Sequence, residues 1–157
     1  MLEHWDFGTR RIGEDLDEAI ARHLPELPQA QRQVVVGELK AIWATLTDSS
    51  AYDELRCARI LGREIPFVLP WDGGTIMEGV IDVVYERDGQ LYVADYKTDR
   101  VTDDDLASVM HDYRHQARIY TEAVRRGLNR DVAAFKLFLL RLGRGVEVPP
   151  ETAGSEP

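Results

Sequence analysis

The sequence has a single cysteine, few lysines and no long apolar segment. Cys57 is the only cysteine among 157 residues, which excludes an internal disulfide, a CxxC redox pair and a four-cysteine zinc or iron–sulfur site. No apolar stretch approaches the roughly 20 residues that span a bilayer, and the acidic beginning lacks the basic-then-apolar order of a signal peptide. We therefore expect a cytoplasmic protein without a membrane segment, in which any metal is bound by oxygen or nitrogen.

Acidic residues outnumber basic residues by 28 to 19, so the net charge is −9. This sign opposes nucleic-acid binding by overall electrostatic attraction, and any such contact must be local or depend on a partner. The basic residues are mostly arginines, because only Lys40, Lys97 and Lys136 are lysines. A lysine in such a chain is a candidate for a specific chemical role.

Hydrophobic periodicity divides the chain into a helical part and a part with strands. The pattern predicts helices over residues 10–24, from 29 to about 46, and over 52–61, the last one ended by Gly62. The short apolar segments 64–69, 77–85 and 91–96 are typical of strands. Because Asp88-Gly89 favours a tight hairpin, the last two strands should pair antiparallel.

The remaining elements complete one predicted domain. A capping box formed by Thr102 and Asp105 predicts a helix to about residue 126, ended by Gly127. The apolar pattern of residues 132–142 predicts a last strand, which residues 146–148 could extend. We expect residues 149–157 to form a disordered tail. We expect a single domain over residues 1–148, helical over 1–62 and built on a sheet and a helix over 63–148.

The predicted hairpin brings two aspartates and a lysine together. Asp82 lies in one strand, and Asp95 and Lys97 lie at the end of its partner, on one face because strand side chains alternate. Converging carboxylates form a site for a hard divalent cation such as Mg²⁺ or Mn²⁺. A lysine beside that cation can orient or deprotonate water, or neutralise charge on a phosphate. These three residues are therefore the candidate catalytic residues.

The surrounding motifs resemble a known family. Arg63-Glu64-Ile65-Pro66-Phe67, Gly79-Val80-Ile81-Asp82, Asp95-Tyr96-Lys97-Thr98, and Gln116 with Tyr120 four residues later are similar to the nuclease domain of RecB and AddA helicase-nucleases, in the PD-(D/E)XK superfamily. The resemblance implies a restriction-endonuclease-like α/β fold, with a central mixed sheet flanked by helices. It also implies that Gln116 and Tyr120 hold the active-site strand or the nucleic-acid strand.

The resemblance further implies metal-dependent hydrolysis of DNA phosphodiester bonds. Asp82 and Asp95 would then be metal ligands, joined by the backbone carbonyl of Tyr96, and Lys97 would be the catalytic lysine. Glu64 precedes an apolar strand, and it is either a supporting residue of the site or a solvated first residue of that strand.

The first motif of the family is incomplete in this sequence. RecB-type nucleases have Gly-Thr-x-x-His in a helix, whereas Gly8-Thr9-Arg10-Arg11 leads here to Ile12. Glu14 could face the site from the first helix instead. The missing histidine favours an alternative, in which an inactivated nuclease fold is a DNA-binding or scaffolding module. The intact Asp82, Asp95 and Lys97 oppose that alternative.

The leading hypothesis is the nuclease domain of a helicase-nuclease in DNA recombination or repair. Its substrate would be single-stranded DNA or duplex ends, and its partner a helicase motor in the same parent chain or complex. The negative charge is compatible with this role if the motor feeds a strand to the site. A metal-dependent hydrolase acting on another substrate is a third alternative. Four arginines of the long helix could contact phosphates or form exposed ion pairs: Arg114, Arg118, Arg125 and Arg126.

Overall fold

The computed structural model describes residues 14–23 and 25–149, with only the backbone described at residues 14–17 and 19. The beginning of the predicted first helix and most of the predicted tail, residues 150–157, lie outside the described residues. The described N-terminal part consists of three helices: α1, Glu14–His23; α2, Gln29–Thr47; and α3, Ser50–Cys57.

The predicted helix over residues 52–61 is wrong in its second half. Helix α3 ends at Cys57, Ala58 has extended backbone angles, and the first strand begins at Arg59. Ile60 pairs with Tyr85 across the sheet, so backbone pairing with a distant strand overrides the helical spacing of the local sequence. The helical part therefore ends five residues before the expected boundary at residue 62.

In the described part of the chain, five strands form one mixed sheet in chain order, β1-β2-β3-β4-β5. β1, β2 and β3 are antiparallel neighbours, β3 and β4 are parallel, and β4 and β5 are antiparallel. The parallel pair requires a crossover, which the helices between β3 and β4 provide. The strands are β1, Arg59–Pro70; β2, Ile76–Arg87; β3, Gln90–Lys97; β4, Val132–Leu139; and β5, Arg144–Val148.

The predicted hairpin between β2 and β3 is confirmed. Asp88 and Gly89 have φ values of 52° and 77°, as a tight two-residue connection requires. The paired register runs from Arg87 opposite Gln90 to Val83 opposite Ala94.

The crossover consists of two helices where the sequence predicted one. The chain bends at Tyr113, whose φ of −92° and ψ of 2° separate the two helices. The predicted capping interaction is confirmed, since the Asp105 carboxylate accepts hydrogen bonds from the Thr102 N–H and hydroxyl. The second helix continues past Gly127 and ends where Asn129 adopts a left-handed conformation. The helices are α4, Leu106–Asp112, and α5, Arg114–Leu128.

The C-terminal strand prediction needs one correction. β4 ends at Leu139, and Val146 and Val148 belong to a separate strand that pairs back with Leu137 and Phe135. They do not extend β4, because the chain reverses in a turn that contains Gly143 at a φ of 62°.

Helices cover both faces of the sheet, which confirms the expected α/β architecture. On one face α2 and α3 pack against β2, β3 and β4 through Leu46, Leu55, Tyr85, Ala94 and Phe138. On the other face α4 and α5 pack against the strand side chains that point the opposite way. This cluster includes Ala117, Val124, Val84, Val93, Phe135 and Leu137. Within the described ranges, no helix is long and apolar enough to cross a membrane.

We predict that Gly143→Ala lowers the free energy of unfolding by about 2–4 kcal/mol. Its Cβ would lie 2.8 Å from the Thr45 carbonyl oxygen and 2.9 Å from the Ser49 Cβ, in addition to the cost of positive φ. Gly89→Ala is the matched control, because Gly89 also has positive φ but has nothing within 4 Å of an added Cβ. Urea denaturation should show a loss of only about 1 kcal/mol for the control. Equal losses in the two variants would contradict the close contact between the turn and α2.

Candidate active site

Strands β2 and β3 stop pairing next to Asp82 and Asp95, two of the candidate site residues. Their pairing ends at Val83 and Ala94, and one residue further the Asp82 Oδ2 accepts a hydrogen bond of 2.8 Å from the Tyr96 N–H. We call this place, bounded by Asp82, Asp95 and Tyr96, the fork. Since the N–H and C=O of a strand residue point to the same side, the Tyr96 carbonyl also points towards β2. The Asp82 carboxylate and this carbonyl therefore share the fork.

Asp95 is buried, with 4% of its surface exposed; its Oδ1 accepts a hydrogen bond, and its Oδ2 belongs to an ion pair. Gln116 of α5 donates a hydrogen bond of 3.0 Å from Nε2 to Oδ1. The Lys97 Nζ lies 2.6 Å from Oδ2. An ion pair and a charge-assisted hydrogen bond thus offset the cost of burying this carboxylate.

Lys97 extends from the end of β3 to the same face as Asp95, as the alternation of strand side chains predicts. Its ammonium also lies 4.7 Å from the centroid of the Tyr113 ring. Partial burial works to lower the pKa of Lys97, but the hydrogen bond and charge of Asp95 outweigh it and raise the pKa above its usual value. Lys97 is therefore a cation in this arrangement.

Asp82 has a pKa above its usual value. Burial is the largest cause, and the negative charges of Asp95 and Glu64 act in the same direction, against the Tyr96 N–H and the Lys97 ammonium. The fork therefore holds carboxylates that repel each other in partial isolation from water. A divalent cation would relieve this repulsion, and the carboxylate and carbonyl oxygens are ligands that Mg²⁺ and Mn²⁺ accept.

The cation would need ligands beyond the two aspartates. Among the described residues, no group of three or more His, Cys, Asp or Glu side chains is placed to hold a metal ion. The Tyr96 carbonyl, water and phosphate oxygens would have to complete the coordination of Asp82 and Asp95. The Glu14 side chain and residues 1–13, which include His4, lie outside the described part of the chain.

Glu64 lies across from Asp82 in the pairing of β1 and β2. The neighbouring pairs are Arg63 with Val83 and Ile65 with Ile81. Its φ of 47° is in the left-handed region, which is unfavourable for a glutamate, and its charge contributes to the raised pKa of Asp82. Glu64 is therefore a member of the electrostatic environment of the site.

Tyr120 belongs both to the core and to the surroundings of the site. Its ring contacts Phe67 and Phe135 edge to face, at centroid distances of 5.4 Å and 6.0 Å. Burial is the main reason that its pKa is raised, followed by the charges of Asp95 and Asp82, while Gln116 acts in the opposite direction. Tyr120 therefore lies in the electrostatic surroundings of both aspartates.

Tyr113 is a residue of the site that sequence reasoning did not identify as functional. The periodicity predicts its position on the buried face of the helix, three residues before Gln116. That spacing could have indicated that the two side chains share a neighbour. The contact with Lys97 depends on the bend between α4 and α5, which the pattern did not predict.

Three of the four arginines considered as phosphate ligands form ion pairs within the chain. Arg118 lies 3.0 Å from Asp72 and over the Trp71 ring at 4.8 Å. Arg125 and Arg126 both pair with Glu122, at 2.8 Å and 2.6 Å. These contacts agree with the ion-pair alternative for the three side chains.

Comparison with known proteins gives a consistent result. Residues 2–155 match the family model of the PD-(D/E)XK nuclease superfamily. The chain is 28% identical over 162 residues to an ATP-dependent helicase/nuclease subunit of Alkaliphilus oremlandii, in a match that covers 94% of this chain. It is 27% identical over 160 residues to the protein of the same name in Staphylococcus aureus strain JH9, in a match that covers 88% of this chain. The match spans only 13% of the length of each relative.

We predict that Asp82→Asn makes the protein more stable at pH 7. Because the pKa of Asp82 is higher in the folded state than in the unfolded state, ionisation of this group costs stability as the pH rises through the usual carboxyl range to the raised pKa. Asparagine removes the charge and retains an acceptor for the Tyr96 N–H. The urea midpoint should therefore rise at pH 7, and the gain should shrink at about pH 3, where the carboxyl is protonated in both states.

The control for this prediction is Asp131→Asn, because Asp131 is exposed and lies between α5 and β4. Its urea midpoint should change little at either pH. A lower midpoint for Asp82→Asn than for the wild type at pH 7 would contradict the electrostatic description of the fork.

Proposed function

The chain belongs to the PD-(D/E)XK nuclease superfamily, and from this premise we propose that the fork hydrolyses DNA phosphodiester bonds with Mg²⁺ or Mn²⁺. The observation that carries the proposal is the convergence of Asp82 and the Asp95–Lys97 ion pair where β2 and β3 separate. A buried ion pair beside a second, partly buried carboxylate is costly for a purely structural element. The same arrangement is what a cation-dependent phosphodiesterase requires.

Asp82, Asp95 and the Tyr96 carbonyl would hold the cation. When bound, the cation supplies a Lewis acid that polarises the phosphate and makes water a stronger nucleophile at neutral pH. Gln116 fixes the Asp95 carboxylate through Oδ1, so that Oδ2 stays directed at the region of Lys97. Tyr120, one turn further along α5, packs in the core against Phe67 and Phe135.

Lys97 would act by its charge. A lysine is protonated at neutral pH unless its surroundings lower its pKa by several units, and a charged ammonium fits stabilisation of negative charge on the phosphate better than removal of a proton from water. The ammonium is compact and lies at the end of a flexible stem, so it can follow charge as it develops on the phosphate.

The substrate and the partner follow from the charge of the chain and from its relatives. The net charge is −9, and three of the arginines on α5 are paired internally, so this chain is poorly suited to capture DNA by itself. We infer that a helicase motor, in the same parent chain or complex, delivers a single strand or a duplex end. The activity would then be of the exonuclease type, in recombination or repair, and in the cytoplasm.

We predict that Lys97→Ala and Asp95→Ala each reduce DNA cleavage by at least about a hundredfold, because each removes charge that acts on the reacting phosphate or holds the cation. The assay is cleavage of an end-labelled single strand in the presence of Mg²⁺ or Mn²⁺. Lys40→Ala is the matched control, since Lys40 is an exposed lysine on α2. It should cleave at the wild-type rate.

Two outcomes would contradict this assignment. Equal cleavage by the wild type, Lys97→Ala and Asp95→Ala would show that the activity does not arise at the fork. DNA binding that persists in the presence of a chelator, without any cleavage when Mg²⁺ or Mn²⁺ is added, would instead support the DNA-binding or scaffolding alternative.

We predict that Gln116→Ala reduces cleavage by about 10–100-fold, the range measured when a group that supports a metal ligand is removed. The Asp95 carboxylate would lose the hydrogen bond that fixes Oδ1 and would rotate more freely. Gln33→Ala is the control, because Gln33 is an exposed glutamine of α2. Wild-type rates for Gln116→Ala at all cation concentrations would exclude a supporting role for Gln116.

A further inference from the structure

The Lys97 ammonium lies between two groups of different kinds. On one side it forms the 2.6 Å ion pair with Asp95, and on the other it lies 4.7 Å from the Tyr113 ring centroid. The first contact is an attraction between full charges, and the second is an attraction of a cation to the electrons of an aromatic ring. Only the first partner is a proposed cation ligand.

Tyr113 is held rigidly at the junction of α4 and α5. Its N–H donates to the Val109 carbonyl at 3.2 Å, and its carbonyl accepts from the Ala117 N–H at 2.9 Å. Its ring packs against the core cluster between the sheet and these helices. Gln116, less than one turn further along the chain, donates to Asp95. One short segment therefore contacts both members of the Asp95–Lys97 ion pair.

A divalent cation bound by Asp95 would change the balance between these two contacts. The cation would compete with the ammonium for Asp95 Oδ2, and it would repel the ammonium because both are positive. The ion pair would weaken at the moment when Lys97 is needed beside the phosphate. The attraction of the Tyr113 ring would remain, since no charge on the ring is neutralised by the cation.

We propose that Tyr113 is a positioning residue, whose ring face keeps the Lys97 ammonium at the fork when a divalent cation occupies the Asp95 carboxylate. This inference rests on the proposed function and adds a residue to it. Tyr113 would act through Lys97, the charged group that its ring contacts.

The first test separates turnover from binding. Tyr113→Leu should lower kcat for a labelled single strand by about tenfold, while KM and the Mg²⁺ affinity measured by calorimetry stay within about threefold. Tyr113→Phe keeps the ring and should retain most of the wild-type kcat. Tyr92→Leu is the matched control, because the Tyr92 ring lies 4.9 Å from the Lys136 ammonium, on the other face of the sheet. Tyr92→Leu should leave kcat unchanged when kcat is calculated per folded molecule.

The second test observes Lys97 without an activity assay. The chain has only three lysines, so protein labelled with ¹³C-lysine gives few Cε–Hε signals, and Lys97→Arg assigns one of them. In the wild type and in Tyr113→Phe, this signal should stay shifted by the aromatic ring when Mg²⁺ is added. Tyr113→Leu lacks the ring current itself, so this variant is compared with and without Mg²⁺: adding Mg²⁺ should make the Lys97 side chain as mobile as an exposed lysine, as measured by ¹³C relaxation, whereas it stays ordered in the wild type.

The outcomes distinguish this inference from the proposed function. A wild-type protein that neither binds Mg²⁺ nor cleaves DNA overturns both. A wild-type protein that binds and cleaves, with Lys97 mobility that Mg²⁺ does not change in Tyr113→Leu and an unchanged kcat of that variant, overturns the role of Tyr113 alone. A loss in Tyr113→Phe as large as that in Tyr113→Leu also overturns it, because the hydroxyl and not the ring face would then be responsible.

Discussion

The hydrogen bond from the Tyr96 N–H to the Asp82 carboxylate is the interaction on which the rest of the site depends. Beyond Val83 and Ala94 the two strands no longer pair, and this side chain satisfies a backbone donor that a neighbouring strand would otherwise satisfy. The bond fixes the Asp82 carboxylate between the strands, and the same local geometry turns the Tyr96 carbonyl towards it. Oxygen atoms from two adjacent strands are thereby brought to one place without a loop.

The charges around the fork are arranged for chemistry at the expense of stability. Asp82, Asp95 and Glu64 contribute three negative charges, and the burial of Asp82 makes their repulsion stronger. Lys97 compensates through Asp95, and Gln116 holds that carboxylate in position. Functional sites commonly retain such electrostatic repulsion, and the packed cores on both faces of the sheet must offset its cost.

Sequence patterns predict correctly those elements whose conformation depends on neighbouring residues in the chain. Asp88-Gly89 identified the hairpin, and through it the convergence of the two aspartates and the lysine. The start of β1 at Arg59 and the reversal at Gly143 depend on pairing with distant strands, which periodicity does not report. The bend at Tyr113 is not predictable either, for a different reason: the apolar spacing around it is that of an uninterrupted helix. The sequence-derived site therefore contained Gln116 but not Tyr113.

The most direct test of the central claim is the anomalous diffraction of Mn²⁺ in a crystal of this protein. We expect one peak in the fork, within coordination distance of carboxylate oxygens of Asp82 and Asp95 and of the Tyr96 carbonyl. We also expect the Lys97 ammonium to move away from Asp95 Oδ2. A fork without a peak, with the Asp95–Lys97 ion pair intact at Mn²⁺ concentrations that support cleavage, would contradict it.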